Sequence, residues 1–203
     1  MIIDEYRGIQ DLVYAEVTND DNESEGGYVT GAVKPLAGIA ELTKTTETSS
    51  EAHYYDNIPA LVVTSTGADE VTCSLSAIPL DVLADLTGQY YDEATGTMIE
   101  GERETKYFAI GYKTQKVNGG DVWVWRYKVT ASIPDSTHST KTNGTDANGQ
   151  EIVFTGINTT HKFTKTGKSA KALNVDLEKD KADISAFFNT VTTPDTLRAK
   201  VGA

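Results

Sequence analysis

The sequence predicts a mainly β protein in which one short helix lies across the middle of the sheet. Threonine, valine and tyrosine are frequent in the 203-residue chain and methionine is rare, a composition that favours strands over helices. Several segments alternate apolar and polar residues with a period of two, which is typical of strands with one buried face. Helical spacing is confined to residues 80–87 and to a short stretch after Asp180.

The N-terminal part predicts two extended segments. Residues 12–17 (LVYAEV) alternate and predict a first strand, and residues 19–27 (NDDNESEGG) form an acidic turn after it. Residues 28–42 predict a second extended segment, which is interrupted at Pro35 and Gly38.

A polar stretch separates these segments from the next apolar one. Residues 43–52 (TKTTETSSEA) contain no apolar residue except the last, so we expect a polar loop. Such a loop inside a compact domain is usually functional or mobile. Residues 53–65 (HYYDNIPALVVTS) regain aromatic and β-branched side chains, which predicts a strand with a kink at Pro59.

The central unit combines a strand with the helix. The strand is indicated by four apolar residues that alternate with polar ones: Val71, Cys73, Leu75 and Ala77. Pro79 suits the first turn of the helix, and Gly88 is placed to end it. A helix this short is not stable alone in water, so its apolar arc must pack on the sheet. That arc consists of Leu80, Val82, Leu83, Ala84 and Leu86.

A β-hairpin follows a polar connection over residues 92–105. Residues 107–112 alternate, Asn118 and Gly119 are a strong turn signal, and residues 121–131 form the returning strand. That strand carries three large aromatic side chains on one face, which is either the main core or a subunit contact. They are Trp123, Trp125 and Tyr127.

The C-terminal third predicts shorter elements within the same single domain, residues 1–203. Residues 134–150 are a second polar loop, 151–163 a strand, 165–171 a basic turn and 172–177 an extended segment. Asp180 can cap a short C-terminal helix, and residues 192–203 are expected to be a loose tail. The apolar stripe of this helix is formed by Ile184, Phe187 and Phe188.

Charge and composition argue against two classes of partner. The net charge is -12 and the sequence pI is about 4.6, and such a surface repels nucleic acid and anionic membranes. The sequence contains no export signal and no segment long enough to span a bilayer, so we expect synthesis in a cytoplasm. The single cysteine, Cys73, forms no internal disulfide and falls on the apolar phase of its strand.

No motif predicts catalysis, so we expect neither an enzyme nor a cofactor. Gly167-Lys168-Ser169 ends like a phosphate-binding loop, but the position that requires another glycine is Lys162. Asp81 and Asp85 lie one helical turn apart, on the face opposite the apolar arc, and are expected to face water.

Metal binding has equally weak support. Asp21, Glu23, Glu25 and Gly26 imitate the first half of a calcium loop, but Ala32 occupies the position of the bidentate glutamate. A charged exposed turn is the favoured interpretation, and weak surface binding of calcium remains an alternative. The three histidines lack metal-ligand spacing, so no metal site is expected; they are His53, His138 and His161.

Four segments resemble the major tail proteins of bacteriophages with long, non-contractile tails that infect Gram-positive bacteria. Residues 78–88 (IPLDVLADLTG) are similar to the family's helix. Residues 12–38 resemble its opening strand, acidic turn and K-x-L-A-G segment. Residues 52–56 and 107–128 resemble its aromatic-and-aspartate segment and its central hairpin.

The resemblance implies a structural virion protein. Such proteins form hexameric rings that stack into the tail tube, through which viral DNA passes without specific binding. The implied fold is two packed antiparallel sheets, a sandwich or partly open barrel, with one flanking central helix. The implied partners are further copies of the chain and the tape-measure, tail-tip and terminator proteins, and assembly takes place in the host cytoplasm.

Subunit contacts are expected around the long polar loop, because loops with little apolar content can order between stacked rings. The candidate contact residues are Tyr54, Tyr55, Asp56, Thr43, Thr45 and Glu47.

The alternative function is a carbohydrate-binding or adhesion module. In that case Trp123 and Trp125 would stack on sugars, although their strand suits a core equally well.

Overall fold

The computed structural model describes residues 4–22, 27–138, 140 and 148–200, and nearly all of its regular structure is β. The strands are β1 (Tyr6–Asp20), β2 (Tyr28–Thr30), β3 (Lys34–Pro35), β4 (Ile39–Tyr55), β5 (Ile58–Leu75), β6 (Tyr90–Asp92), β7 (Thr97–Ile99), β8 (Phe108–Lys116), β9 (Asp121–Ala131), β10 (Gln150–Gly156) and β11 (Ala172–Asp176). The helix α1 spans Leu80–Thr87, and a 3-10 turn spans Leu177–Lys179.

The strands form one large and one small antiparallel sheet. The nine-stranded sheet has the order β2-β1-β8-β9-β10-β5-β4, with β3 also paired to β1 and β11 also paired to β9. Strands β6 and β7 form a separate two-stranded sheet between α1 and β8, which overlaps the start of the predicted polar connection over residues 92–105. The predicted class, mainly β with two antiparallel sheets and a central helix, is confirmed, and the barrel is not closed.

The first core lies on the side of the large sheet that α1 covers. It joins apolar side chains from β1, β5, β8, β9 and β10 with Leu86 of the helix. Val71, Cys73 and Leu75 are buried as their alternation predicts, whereas Ala77 is exposed because β5 ends at Leu75. Burial raises the pKa of the Cys73 thiol to about 12, which keeps it protonated and unreactive.

The second core lies on the opposite side and buries the aromatic face of β9. Trp125 and Tyr127 are fully buried, and the Trp125 Nε1–H donates to the Phe187 carbonyl at 2.8 Å. Trp123 stacks on Phe188 with ring centroids 4.8 Å apart. Of the two predicted roles for this face, the structure assigns it to the core.

The C-terminal segment differs from the prediction in two ways. Turns replace the expected helix, and Asp180 follows the 3-10 turn in a left-handed conformation (φ 44°) instead of capping a helix. The expected loose tail is packed at its start: Thr192 and Thr193 are buried, and Tyr127 donates its hydroxyl proton to the Thr192 carbonyl at 3.0 Å. Residues 201–203 of that tail lie outside the described residues. Packing on the aromatic face of β9 decides this conformation, which local periodicity could not reveal.

Helix α1 has the predicted bounds, but one of its acids does not face water. Gly88 ends the helix with φ 65°, and Ala84 and Leu86 are buried. Asp85 is partly buried; it accepts a hydrogen bond from the Tyr14 hydroxyl at 3.0 Å and pairs with Lys34 at 2.8 Å. The prediction for Asp85 was therefore wrong, because β1 places Tyr14 beside the polar face of the helix.

The most consequential correction concerns residues 43–65. The expected polar loop and kinked strand are one long hairpin, formed by β4 and the first part of β5. The chain reverses at Asp56 and Asn57. The irregularity expected at Pro59 is present as a shift in register, because Tyr54 pairs with Pro59 and His53 with Leu61. Threonines, being β-branched, suit strands, and β5 supplies the pairing that the segment lacks alone.

We expect Gly88→Ala to destabilise the protein by about 1–3 kcal/mol, because a Cβ there would lie 1.9 Å from the Glu104 carbonyl oxygen and the positive φ disfavours alanine. Urea unfolding measures the change. Gly101→Ala is the matched control, since nothing lies within 4 Å of its Cβ position. Equal stability of the two variants would contradict the role of Gly88.

Candidate interaction surface

The hairpin of β4 and β5 extends beyond the sheet as an arm, defined here as residues 47–67. Residues 69–75 of β5 pair with β10, whereas residues 58–66 pair only with β4 among the residues that the structure describes. Every residue of the arm is exposed. At about 3.3 Å per residue the arm reaches roughly 30 Å from the sheet, so it is available to another molecule.

The tip of the arm is a tight turn. Asp56 (φ 51°) and Asn57 (φ 62°) both have positive φ, as the two central residues of a type I′ turn require. Aspartate and asparagine tolerate this conformation better than most residues. The pair was a usable sequence signal for the hairpin, but the polar stretch before it concealed the first strand.

The arm carries apolar side chains on both faces. Directly paired residues of antiparallel strands lie on the same face. One face, called here the Tyr55 face, consists of Glu51, His53, Tyr55, Ile58, Leu61 and Val63. The other, called the Tyr54 face, includes Ala52, Tyr54, Pro59 and Val62. The six large hydrophobic side chains of the arm are each between 48% and 66% exposed.

A two-stranded hairpin with exposed apolar side chains has little stability in water by itself. Isolated hairpins are marginally stable, and contiguous exposed apolar surface marks interaction sites. The arm therefore has the character of a surface that a partner covers.

The structure divides the predicted contact residues into two groups. Tyr54, Tyr55 and Asp56 lie together at the tip of the arm, whereas Thr43 and Thr45 lie near its base on β4. Glu47 is the first residue of the arm. All six are exposed.

Sequence reasoning missed the apolar residues of the returning strand. These are Ile58, Leu61, Val62 and Val63. The apolar run after Pro59 was visible in the sequence, but it was assigned to a strand with a kink at Pro59 and not to a contact surface. Only the strand pairing shows that this part of β5 lies outside the sheet.

A buried ionic cluster fixes the base of the arm. Asp69 accepts hydrogen bonds from Arg126 Nη1 at 3.0 Å, Lys171 Nζ at 3.1 Å and Thr46 Oγ1 at 2.9 Å. Lys171 also donates to the carbonyl of Gly67. Burial acts to raise the pKa of Asp69, but the bonds from Lys171 and Thr46 outweigh it and lower the pKa. The arm thus leaves the sheet from a rigid base.

The remaining candidate sites have little support in the described residues. Gly167 and Lys168 lie in a tight turn closed by a bridge between Phe163 and Lys168, without a helix for phosphate binding. Glu23, Glu25 and Gly26 of the calcium-like turn lie outside the described residues. Across 4–22, 27–138, 140 and 148–200, no group of three or more His, Cys, Asp or Glu side chains could hold a metal.

No protein-family model matches the sequence, and no curated protein sequence matches it significantly. In the part of the chain that the structure describes, no helix has the length and apolar character needed to cross a membrane.

We expect Asp69→Asn to lower the free energy of unfolding by about 3–5 kcal/mol at pH 7, because it leaves Arg126 and Lys171 without their carboxylate. Asp56→Asn, at the exposed tip, is the control and should change the free energy of unfolding by less than about 0.5 kcal/mol. Urea unfolding measures both.

The pH dependence follows from the lowered pKa of Asp69. The contribution of ionised Asp69 to the free energy of unfolding is present above the unfolded-state pKa of about 3.9. It is lost as the pH falls through the lower pKa of the folded state. The wild-type protein should therefore lose more stability than Asp69→Asn between about pH 5 and pH 2. If the free energies of unfolding of the two proteins fell equally with decreasing pH, the stabilising role of ionised Asp69 would be contradicted.

Proposed function

We propose that this protein is the subunit of a bacteriophage tail tube, assembled as hexameric rings that stack into a conduit for viral DNA. The observation that carries the proposal is the arm, which exposes apolar side chains on both faces that a partner would bury. Copies of the same chain can provide it if the arm of one copy contacts a different surface of the next. Such head-to-tail contacts generate rings or open filaments, and a tube of stacked rings combines both.

The edges of the sheet also support assembly. Strand β4 pairs only with β5 among the described residues, so its other edge is open, and β2 lies at the opposite end of the strand order. Open edges are a liability in a monomer because they pair with other chains. Ring closure can pair the arm portion of the β4 edge, and the edge of β2, with neighbouring subunits.

The charge is compatible with a DNA conduit. Six copies carry six times the net charge of -12, and acids that face the lumen would repel DNA from the wall. Screening limits this repulsion to about 8 Å at physiological salt, so only lumen-facing acids act. The proposed location is the virion tail, with assembly in the host cytoplasm beside the tape-measure, tail-tip and terminator proteins.

The carbohydrate-binding alternative requires a different surface from the one first considered. Trp125 is fully buried and Trp123 stacks on Phe188, so these side chains form part of the core. Tyr54 and Tyr55 are the exposed aromatic pair that could stack on sugars. A glycan-binding screen of the wild-type protein separates the two functions, since a tube subunit should give no hit.

We expect the double substitution Tyr55→Ser with Ile58→Ser to abolish assembly without lowering the melting temperature, because both side chains are exposed in the monomer. Negative-stain electron microscopy of concentrated protein measures assembly, with rings or tubes expected for the wild type.

Tyr90→Ser with Ile133→Ser is the matched control, because it removes one tyrosine and one isoleucine of similar exposure outside the arm. Ring formation by the arm variant would overturn the proposed function. So would a wild-type protein that forms no rings and binds a specific glycan.

A further inference from the structure

An apolar groove opens between β1 and β4, two strands of the large sheet that approach each other without pairing. It has a volume of about 630 Å³ and lies between the first residues of β1 and the base of β4. Its apolar lining includes Ile9, Leu42, Tyr112, Val122 and Val124. Tyr112, Val122 and Val124 are buried members of the first core, so the groove is a direct opening onto that core.

The groove exists because β1 and β4 do not pair with each other. Strand β1 pairs with β8, and β4 pairs with β5, although β1 and β4 approach to within 8 Å between Cα atoms. An additional strand between them would need about 9.6 Å, twice the spacing of paired strands. The groove is therefore suited to receive side chains and not an inserted strand.

The arm of the same chain cannot fill this groove. Lys44 lies at the groove, and Tyr55 is eleven residues further along the same strand. Paired strands are extended, so about 36 Å separates the two residues. The matching apolar surface must come from another molecule.

We propose that the groove receives the Tyr55 face of the arm of a second copy, an inference that specifies the contact in the proposed tube. Tyr55, Ile58 and Leu61 lie on one face of the tip and are all more than half exposed. A groove of 300–1,000 Å³ accommodates a few such side chains. The arm and the groove are different surfaces, so in a tube the contact is used in one direction, is heterologous and repeats from subunit to subunit.

A lysine at the groove can pair with an acid of the incoming arm. The arm contains the acids Glu47, Glu51 and Asp56 and no lysine or arginine. Lys44 and Glu41 both line the groove and are exposed, and the Lys44 ammonium donates a hydrogen bond to Thr46 Oγ1. Glu51 or Asp56 of an incoming arm can pair with Lys44 while the apolar side chains enter the groove.

The test is disulfide formation between two differently labelled chains in a concentrated mixture. One chain carries Asn174→Cys, at an exposed position of the groove lining that leaves Lys44 in place. The other carries Leu61→Cys on the Tyr55 face or, as control, Val62→Cys on the Tyr54 face. Leu61 and Val62 are adjacent and similarly exposed (54% and 58%). A disulfide needs Cβ atoms about 3.5–4.5 Å apart, so Leu61→Cys should cross-link about tenfold more than Val62→Cys. Equal yields, or no cross-link, would overturn the proposed docking.

A second variant blocks the groove without cutting into the core. Ala40 lines the groove and is exposed, so Ala40→Trp should fill its mouth and suppress the Leu61→Cys cross-link. Gln115→Trp, on an exposed position of β8 outside the groove lining, is the control and should leave the cross-link unchanged. Unchanged cross-linking in Ala40→Trp would contradict the groove as the docking site.

The outcomes separate this inference from the proposed function. Tubes without the selective cross-link would leave the tail-tube function standing and remove the groove contact. The selective cross-link in small oligomers that never form rings would establish the groove contact and contradict the tube.

Discussion

The double role of β5 is the constraint on which the rest of the structure depends. Its C-terminal half is a central strand whose alternating side chains fill the first core, and its N-terminal half leaves the sheet as one strand of the arm. The change occurs at Asp69, where Arg126, Lys171 and Thr46 hold a buried carboxylate. Because breaking a buried pair is costly, this point resists rearrangement and the arm keeps its direction.

Fold and proposed assembly follow from the same feature. The arm extends beyond the sheet and exposes apolar side chains that its own chain does not cover. The gap between β1 and β4 leaves a groove that the arm of the same chain cannot reach. In the proposed assembly the arm of one copy supplies apolar side chains and the groove of the next copy receives them. A chain with one of each per copy is suited to assemble with itself, and the proposed tail tube requires that property.

Sequence patterns predicted the elements whose signal is local. The period of two located the buried phase of β5, the Asn118-Gly119 pair located the turn between β8 and β9, and the proline and glycine around residues 80–87 located the helix. Of the contact residues, Tyr54, Tyr55 and Asp56 were chosen because they flank a polar stretch, and they lie at the tip of the arm. Their apolar partners on the returning strand were missed, because a period-two pattern does not show whether a strand is inside or outside the sheet.

By itself, the sequence determined the β class, the bounds of the helix and the apolar face of β9, because propensity, capping and alternation act over a few residues. Only the tertiary structure decided that the threonine-rich segment pairs as a strand, that the C-terminal segment packs as turns, and that Asp85 is held by Tyr14 and Lys34. Each of these depends on a partner distant in the chain. Strand pairing and burial are non-local interactions, so their outcome is fixed only when the sheet brings those partners together.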